Sequence, residues 1–187
     1  MTMKKLQLIF SSLLIGLSIA CSNAQVSNTA TASAPVEKPQ KTSLEYMRDG
    51  SAAFMNGSYT KAIEPFQKAL DLEKQDRKLE KNLWFALIDN LAMAYGITGD
   101  LKNSRLTLEY GISKEPEYPM FYYIMASTYG EEDDEPNAIK YLRLAFKHKK
   151  NMVVGEDFPD PLVDDSFKNF ADSVTFKKAV GEMKKEK

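Results

Sequence analysis

Residues 91–112 read Leu-Ala-Met-Ala-Tyr-Gly-Ile-Thr-Gly-Asp-Leu-Lys-Asn-Ser-Arg-Leu-Thr-Leu-Glu-Tyr-Gly-Ile, and residues 125–146 read Met-Ala-Ser-Thr-Tyr-Gly-Glu-Glu-Asp-Asp-Glu-Pro-Asn-Ala-Ile-Lys-Tyr-Leu-Arg-Leu-Ala-Phe. The second stretch repeats the first at an offset of 34 residues: Ala92 falls on Ala126, Tyr95 on Tyr129, Ser104 on Ala138 and Gly111 on Ala145. A fixed period of this length marks an array built from one supersecondary unit. An earlier pass carries the same residue types in the same order: Gly50, Gly57-Ser58-Tyr59, Ala62, Phe66 and Ala69-Leu70, set 42 residues before the second pass. The additional eight residues, about Arg77 to Trp84, are expected to add roughly two helical turns at 3.6 residues per turn.

Working outward, helical periodicity begins at Thr42, where Thr42-Ser43-Leu44-Glu45 has the spacing of a capping box. Two helices joined by a tight turn approach closely only where side chains are small. Gly50, Ala92 and Ala126 supply this on the first helix of each pass, and Ala62, Ser104 and Ala138 on the second. Phe66, Leu108 and Leu142 fill the space toward the neighbouring unit. Gly57 and Gly99 permit the turn, whereas the third pass has Asp133 there. Pro116 ends the second pass, and Pro119 suits the start of the next helix.

These residues resemble the tetratricopeptide repeat, a 34-residue helix–turn–helix unit. The resemblance implies an all-α fold, an α-solenoid of three units at 43–76, 85–118 and 119–152, forming an array over 43–152; the rival is an unrelated helical bundle. Such units cannot bury their faces alone and need closing at the ends. Residues 153–187 are the candidate: the Asp160-Pro161 and Asp164-Asp165-Ser166-Phe167 pattern is similar to segments that close other bacterial arrays of this kind. Two short helices are expected there, packing Leu162, Phe167, Phe170, Phe176 and Val180 on the third unit.

Ahead of the array the text changes character. Met1 to Lys5 carry two lysines, and Leu6 to Ala20 run without a charge. A basic segment followed by a short apolar one has the form of a secretory signal peptide. It is shorter than the ~20 apolar residues of a spanning helix. Cys21, the one cysteine of the chain, follows Leu17-Ser18-Ile19-Ala20. This resembles the lipobox of bacterial lipoproteins, where the signal (here 1–20) is cut before a cysteine that becomes lipid-modified, with Ser18 departing from the more usual Leu. Ser22 after the cysteine implies sorting to the outer membrane. The other reading is ordinary cleavage after Ser22-Asn23-Ala24, which leaves no cysteine and a secreted or soluble periplasmic protein. Residues 21–42 then read as the anchored cysteine and a tether. They hold too little apolar surface to order themselves, and a coil of this length spans on the order of 25 Å.

Composition narrows the function classes. With 187 residues, 43% hydrophobic and 27% charged, the chain has a globular balance. Its 25 Lys+Arg against 26 Asp+Glu give a net charge of −1, which becomes −3 if Lys4 and Lys5 are removed with the signal. A general nucleic-acid binder needs a basic surface, so no nucleic-acid partner is expected. One Cys and one His supply neither a Cys/His zinc site nor a disulfide. His148, in Lys147-His148-Lys149-Lys150, suits the negative end of a helix dipole better than catalysis. The run Glu131-Glu132-Asp133-Asp134-Glu135 raises calcium, but without the spacing of an EF-hand loop, and acids beside Pro136 suit a helix N-terminus. Asp160, Asp164 and Asp165 read as capping groups. No enzyme activity, cofactor or metal is expected.

What remains is a binding surface. In the tetratricopeptide family the first helix of each unit lines a concave groove. That implies Met47, Ser51, Phe54 and Met55 in unit one, Ala86, Asp89, Asn90, Met93 and Ile97 in unit two, and Met120, Tyr123 and Ser127 in unit three. Met47, Met120 and Ile124 stand where carboxylate-clamping members carry cations, with only Asn90 matching. The alternative is that these methionines fill the core. Met-rich surfaces are adaptable and favour an amphipathic helix or extended peptide. The expected function is therefore a non-catalytic scaffold or adaptor, anchored through Cys21 at the outer membrane and facing the periplasm, that binds a peptide or helix of an envelope protein. A self-associating structural lipoprotein and a calcium-binding envelope protein are the alternatives.

Overall fold

The computed structural model describes residues 41–186. Cys21, the segment 1–20 and all of 21–42 except Lys41 and Thr42 lie outside the described residues. Seven α-helices follow one another without a strand among the described residues: α1 Ser43–Met55, α2 Tyr59–Gln75, α3 Lys81–Ile97, α4 Leu101–Lys114, α5 Pro119–Glu131, α6 Glu135–Lys147 and α7 Val174–Met183. Between α6 and α7 lie a 3₁₀ turn, Lys149–Asn151, and a 3₁₀ helix, Asp165–Phe170. Each helix packs on its successor through α6, as in an α-solenoid of tetratricopeptide-like units.

Local chemistry sets the boundaries. Thr42 and Glu45 close a reciprocal capping box on α1: Glu45 N–H donates to Thr42 Oγ1 at 3.3 Å, and Thr42 N–H to Glu45 Oε2 at 2.8 Å. Asp100 and Asp134 cap α4 and α6 through their side chains alone. Each takes the backbone N–H of the Asn three residues on, at 3.1 Å, and also its side-chain amide. Pro119 opens α5 at the position where its missing N–H costs nothing. The turns within all three helix pairs use a left-handed residue: Gly57 at φ 71°, Gly99 at 87° and Asp133 at 60°. Asp133 therefore does not break the turn. Asp tolerates this region better than most side chains, and Asn169 donates a hydrogen bond to its carboxylate.

The eight residues between the first two passes do lengthen helices. α2 has 17 residues where α4 has 14, and α3 has 17 where α5 has 13. The loop between α2 and α3 is organised by Glu73, a buried carboxylate that accepts from Ser43 Oγ at 2.5 Å and from the backbone N–H groups of Lys78 and Leu79 at 3.0 Å each.

Close approach happens where residues are small. A Cβ on Gly50 would stand 2.5 Å from Phe66 Cδ1, and one on Gly111 would stand 2.9 Å from Ile88 Cγ2. Ser104 tucks its hydroxyl onto the carbonyl of Ala92 at 2.8 Å, joining α4 to α3.

Helices α2, α4 and α6 bury one stripe each, as Ala138, Leu142 and Ala145 do on α6. α5 differs, because every residue from Pro119 to Thr128 is buried. A helix apolar all round needs cover on all sides, and α4 and α6 supply only part of it. The chain beyond α6 supplies the rest: the 3₁₀ helix Asp165–Phe170 packs on α5 and α7 packs on α6. Phe167, Phe170, Phe176 and Val180 are buried, as the sequence suggests. Leu162 is not, being 45% exposed. It follows Pro161 in a turn held by Asp160, whose carboxylate accepts from Leu162 N–H at 3.1 Å.

Candidate functional site

The residues expected to line a groove divide sharply. Met47, Phe54, Asp89, Met93, Met120 and Tyr123 are core residues, while Met55 is 72% exposed and Asn90 is half-buried. Phe54 is held edge-on against Tyr59 and Phe66, with ring centroids 5.1 and 6.3 Å away. Of the others named, Ser127 is buried, and Ser51, Ala86 and Ile97 are half-buried. An open apolar groove along α5 is therefore absent among the described residues. The cause lies in residues 152–164, the strap that links the 3₁₀ turn to the 3₁₀ helix.

Three contacts fix the strap across α5. Tyr118, the N-cap residue of α5, lies 3.1 Å through its hydroxyl from Glu156 Oε2 and 3.0 Å from Asp89 Oδ2 on α3. Phe158 sets its ring against Tyr123 of α5 and Phe146 of α6, at 5.6 and 4.9 Å between centroids, with the Lys149 ammonium 5.2 Å above it. Tyr123 donates its hydroxyl to Asp164 Oδ2 at 2.8 Å. Asp164 also accepts from Ser166 N–H at 2.9 Å, capping the 3₁₀ helix. The chain then passes so close to α5 that a Cβ on Gly130 would lie 2.3 Å from the Ser166 carbonyl oxygen. Asp89 and Tyr123, both expected on a groove, are thus in the strap's contact network.

The first of these contacts has unusual electrostatics. Asp89 is fully buried, and its Oδ1 has no hydrogen-bond partner. Burial drives its carboxyl well above the ordinary range; the Tyr118 hydroxyl opposes this and the charge of Glu156 adds to it. Burial raises Glu156 as well. Tyr118 carries one hydroxyl proton for two carboxyl groups. Both contacts are hydrogen bonds only when one carboxyl keeps its own proton and donates it to the phenol oxygen. The phenol ring is clamped between Phe85, stacked at 3.9 Å, and the edge of Phe121 at 4.8 Å. The flanking ion pair, Lys81 with Glu115 at 3.1 Å, is exposed on the lysine side.

The remaining candidates are structural. Asp160 accepts from Lys184 Nζ at 2.8 Å, and Asp165 opens the 3₁₀ helix. His148 caps α6 and stacks on Tyr122 at 5.6 Å. The acidic run spreads to separate partners: Glu132 pairs with Arg105 at 2.8 Å, Asp134 caps α6, and Glu135 accepts from Ser173 at 2.8 Å. No group of three or more His, Cys, Asp or Glu among the described residues is arranged to hold a metal ion. No helix among them is long and apolar enough to cross a membrane.

Sequence reasoning missed the strap as a partner of α5, and with it Tyr118, Glu156 and Phe158. The usable signal was the uncharged run Pro119 to Gly130, which is too apolar on every side for a helix with one open face.

No family model matches the chain. It is similar to the photosystem I assembly protein Ycf3 of Prochlorococcus marinus. Against the strain MIT 9312 protein it is 31% identical over 85 residues, which are 46% of each chain. The strain NATL1A protein is 27% identical over the same length. The chain thus spans about half the length of the curated relatives it matches. A protein named for assembly, together with a stack of tetratricopeptide-like helices, supports a protein-interaction role in general terms.

Proposed function

We propose that the chain is a non-catalytic interaction adaptor, anchored through a lipid-modified Cys21 to a bacterial outer membrane and facing the periplasm, where it holds an envelope protein by a peptide or helix. The observation that carries the adaptor reading is the solenoid itself: repeated helix pairs present an extended surface, which is the usual use of such arrays. The similarity to an assembly protein supports the same reading. The anchor rests on the sequence around Cys21, and more than one acyl chain would make it stable. Among the residues assigned to binding, Met55 and Asn90 are accessible.

Photo-crosslinking from position 55 or 90 in intact membranes, followed by purification of the chain, tests the adaptor reading. A discrete protein adduct is expected, and the absence of any adduct across growth conditions contradicts the reading. Cys21→Ala is expected to abolish metabolic lipid labelling and release the chain from membranes; persistent labelling contradicts the anchor.

A further inference from the structure

We infer that the face of α5 and α6 beneath the strap is a peptide site held shut by the chain's own residues 152–164, and that it accepts in trans an extended partner segment with the strap's own acidic–aromatic pattern. The inference deepens the adaptor reading above and rests on it.

The strap carries the marks of a bound peptide. Between Met152 and Asp164 it forms no helix, and it is fixed by side chains rather than by a backbone ladder. Its anchors are an acid, an aromatic ring and a second acid, Glu156, Phe158 and Asp164, all within nine residues. The receiving surface answers each. Tyr118 meets Glu156 at 3.1 Å, Tyr123 and Phe146 hold the Phe158 ring at 5.6 and 4.9 Å, and Tyr123 donates to Asp164 at 2.8 Å. Lys149 stands 5.2 Å over the same ring, so a cation edges the aromatic subsite. Val154, just ahead of the first anchor, is fully exposed, and Val163, just ahead of the last, is 78% exposed.

Beside these anchors the strap is held by Asp160 on Lys184 at 2.7 Å and by the buried Pro159 and Pro161, but a segment with no helix or ladder of its own opens more readily than a packed helix. The donors and rings it leaves behind select the same chemistry in an incoming chain: carboxylates for the two tyrosine hydroxyls and an aromatic side chain between them. Occupancy in cis lowers the apparent affinity for a partner by the fraction of chains that are open, so the strap also sets a threshold for binding.

The test is fluorescence anisotropy of a labelled synthetic peptide with the sequence of residues 152–164, titrated with the full chain. The wild-type chain is compared with Phe158→Ala and, independently, Glu156→Ala, each checked for folding by circular dichroism. Either folded variant is expected to bind the peptide about tenfold more tightly than wild type, a difference of about 1.4 kcal/mol. A peptide of the same composition in scrambled order is expected not to bind. Adding Tyr123→Phe to the variant is expected to reverse the gain. Equal binding by wild type and both folded variants, or binding by none, overturns the inference. A dimer that excess peptide dissolves, seen by sedimentation, also overturns it by making a second copy the occupant. If membrane crosslinking captures a partner while this titration fails, the adaptor reading stands and the strap inference falls.

Discussion

The hydroxyl of Tyr123 donates to Asp164 Oδ2 at 2.8 Å across 41 residues of sequence. It ties the middle of α5 to the end of the strap. Tyr123 is fully buried, so removing its hydroxyl leaves Asp164 one donor short in a partly dry setting. Tyr123→Phe is expected to cost about 1–2 kcal/mol in urea unfolding, with the slope of the transition unchanged.

Asp89 makes stability depend on pH. Burial raises its carboxyl in the folded chain, so the folded state holds the proton more tightly than the unfolded state does. That contribution is complete below the ordinary carboxylate pKa and is lost as pH rises toward the raised folded value. Asp89→Asn keeps the shape and cannot ionise. Its stability relative to wild type is expected to rise from about pH 4 upward and to level off once wild-type Asp89 has ionised. Each tenfold difference in acid dissociation between the two states is worth about 1.4 kcal/mol. Chemical denaturation from pH 4 to 8 reads this directly; a difference that stays flat would contradict a retained proton at the Tyr118 contact.

Glu73 joins three elements through one carboxylate, accepting from Ser43 on α1 and from the amides of Lys78 and Leu79. Glu73→Ala strands those donors and is expected to destabilise the chain by about 2–3 kcal/mol. Amide exchange should quicken at Lys78 and Leu79 beyond the global effect. Glu73→Gln, which keeps an acceptor, should lose less.

Gly50 admits the Phe66 ring to within 2.5 Å of where a Cβ would stand. Gly50→Ala gains less than about 1 kcal/mol in helix propensity but forces a fully buried ring to move. A net loss of about 1–3 kcal/mol is expected in thermal unfolding. Gly57→Ala lacks this steric conflict, having open space around it, and fails for another reason: its φ of 71° strains any side chain.

What the sequence disclosed was whatever repeats. Ala92 with Ala126, Tyr95 with Tyr129 and the cap at Thr42 announced helix pairs and their spacing, because small residues and caps act locally. The strap was not announced, because its contacts join Glu156 to Tyr118 and Asp164 to Tyr123 over 38 and 41 residues, and no period reports a pairing made once. Assigning Met93, Met120 and Tyr123 to a groove followed from the repeat register alone; register fixes which way a side chain points but not what lies over it. Asp133 shows the reverse case, since it departs from the glycine of the other turns yet adopts their conformation at φ 60°.

The central structural claim, that the strap lies on α5 in cis, is tested most directly by nuclear Overhauser effects in a monomeric, selectively Phe- and Tyr-labelled chain. Cross-peaks from the Phe158 ring to the rings of both Tyr123 and Phe146 are expected, as their centroids lie 5.6 and 4.9 Å away. Their loss in Phe158→Ala, with the Phe54 to Tyr59 cross-peak retained, would assign them. A Phe158 ring with no contact to either partner in the folded wild-type chain would contradict the account.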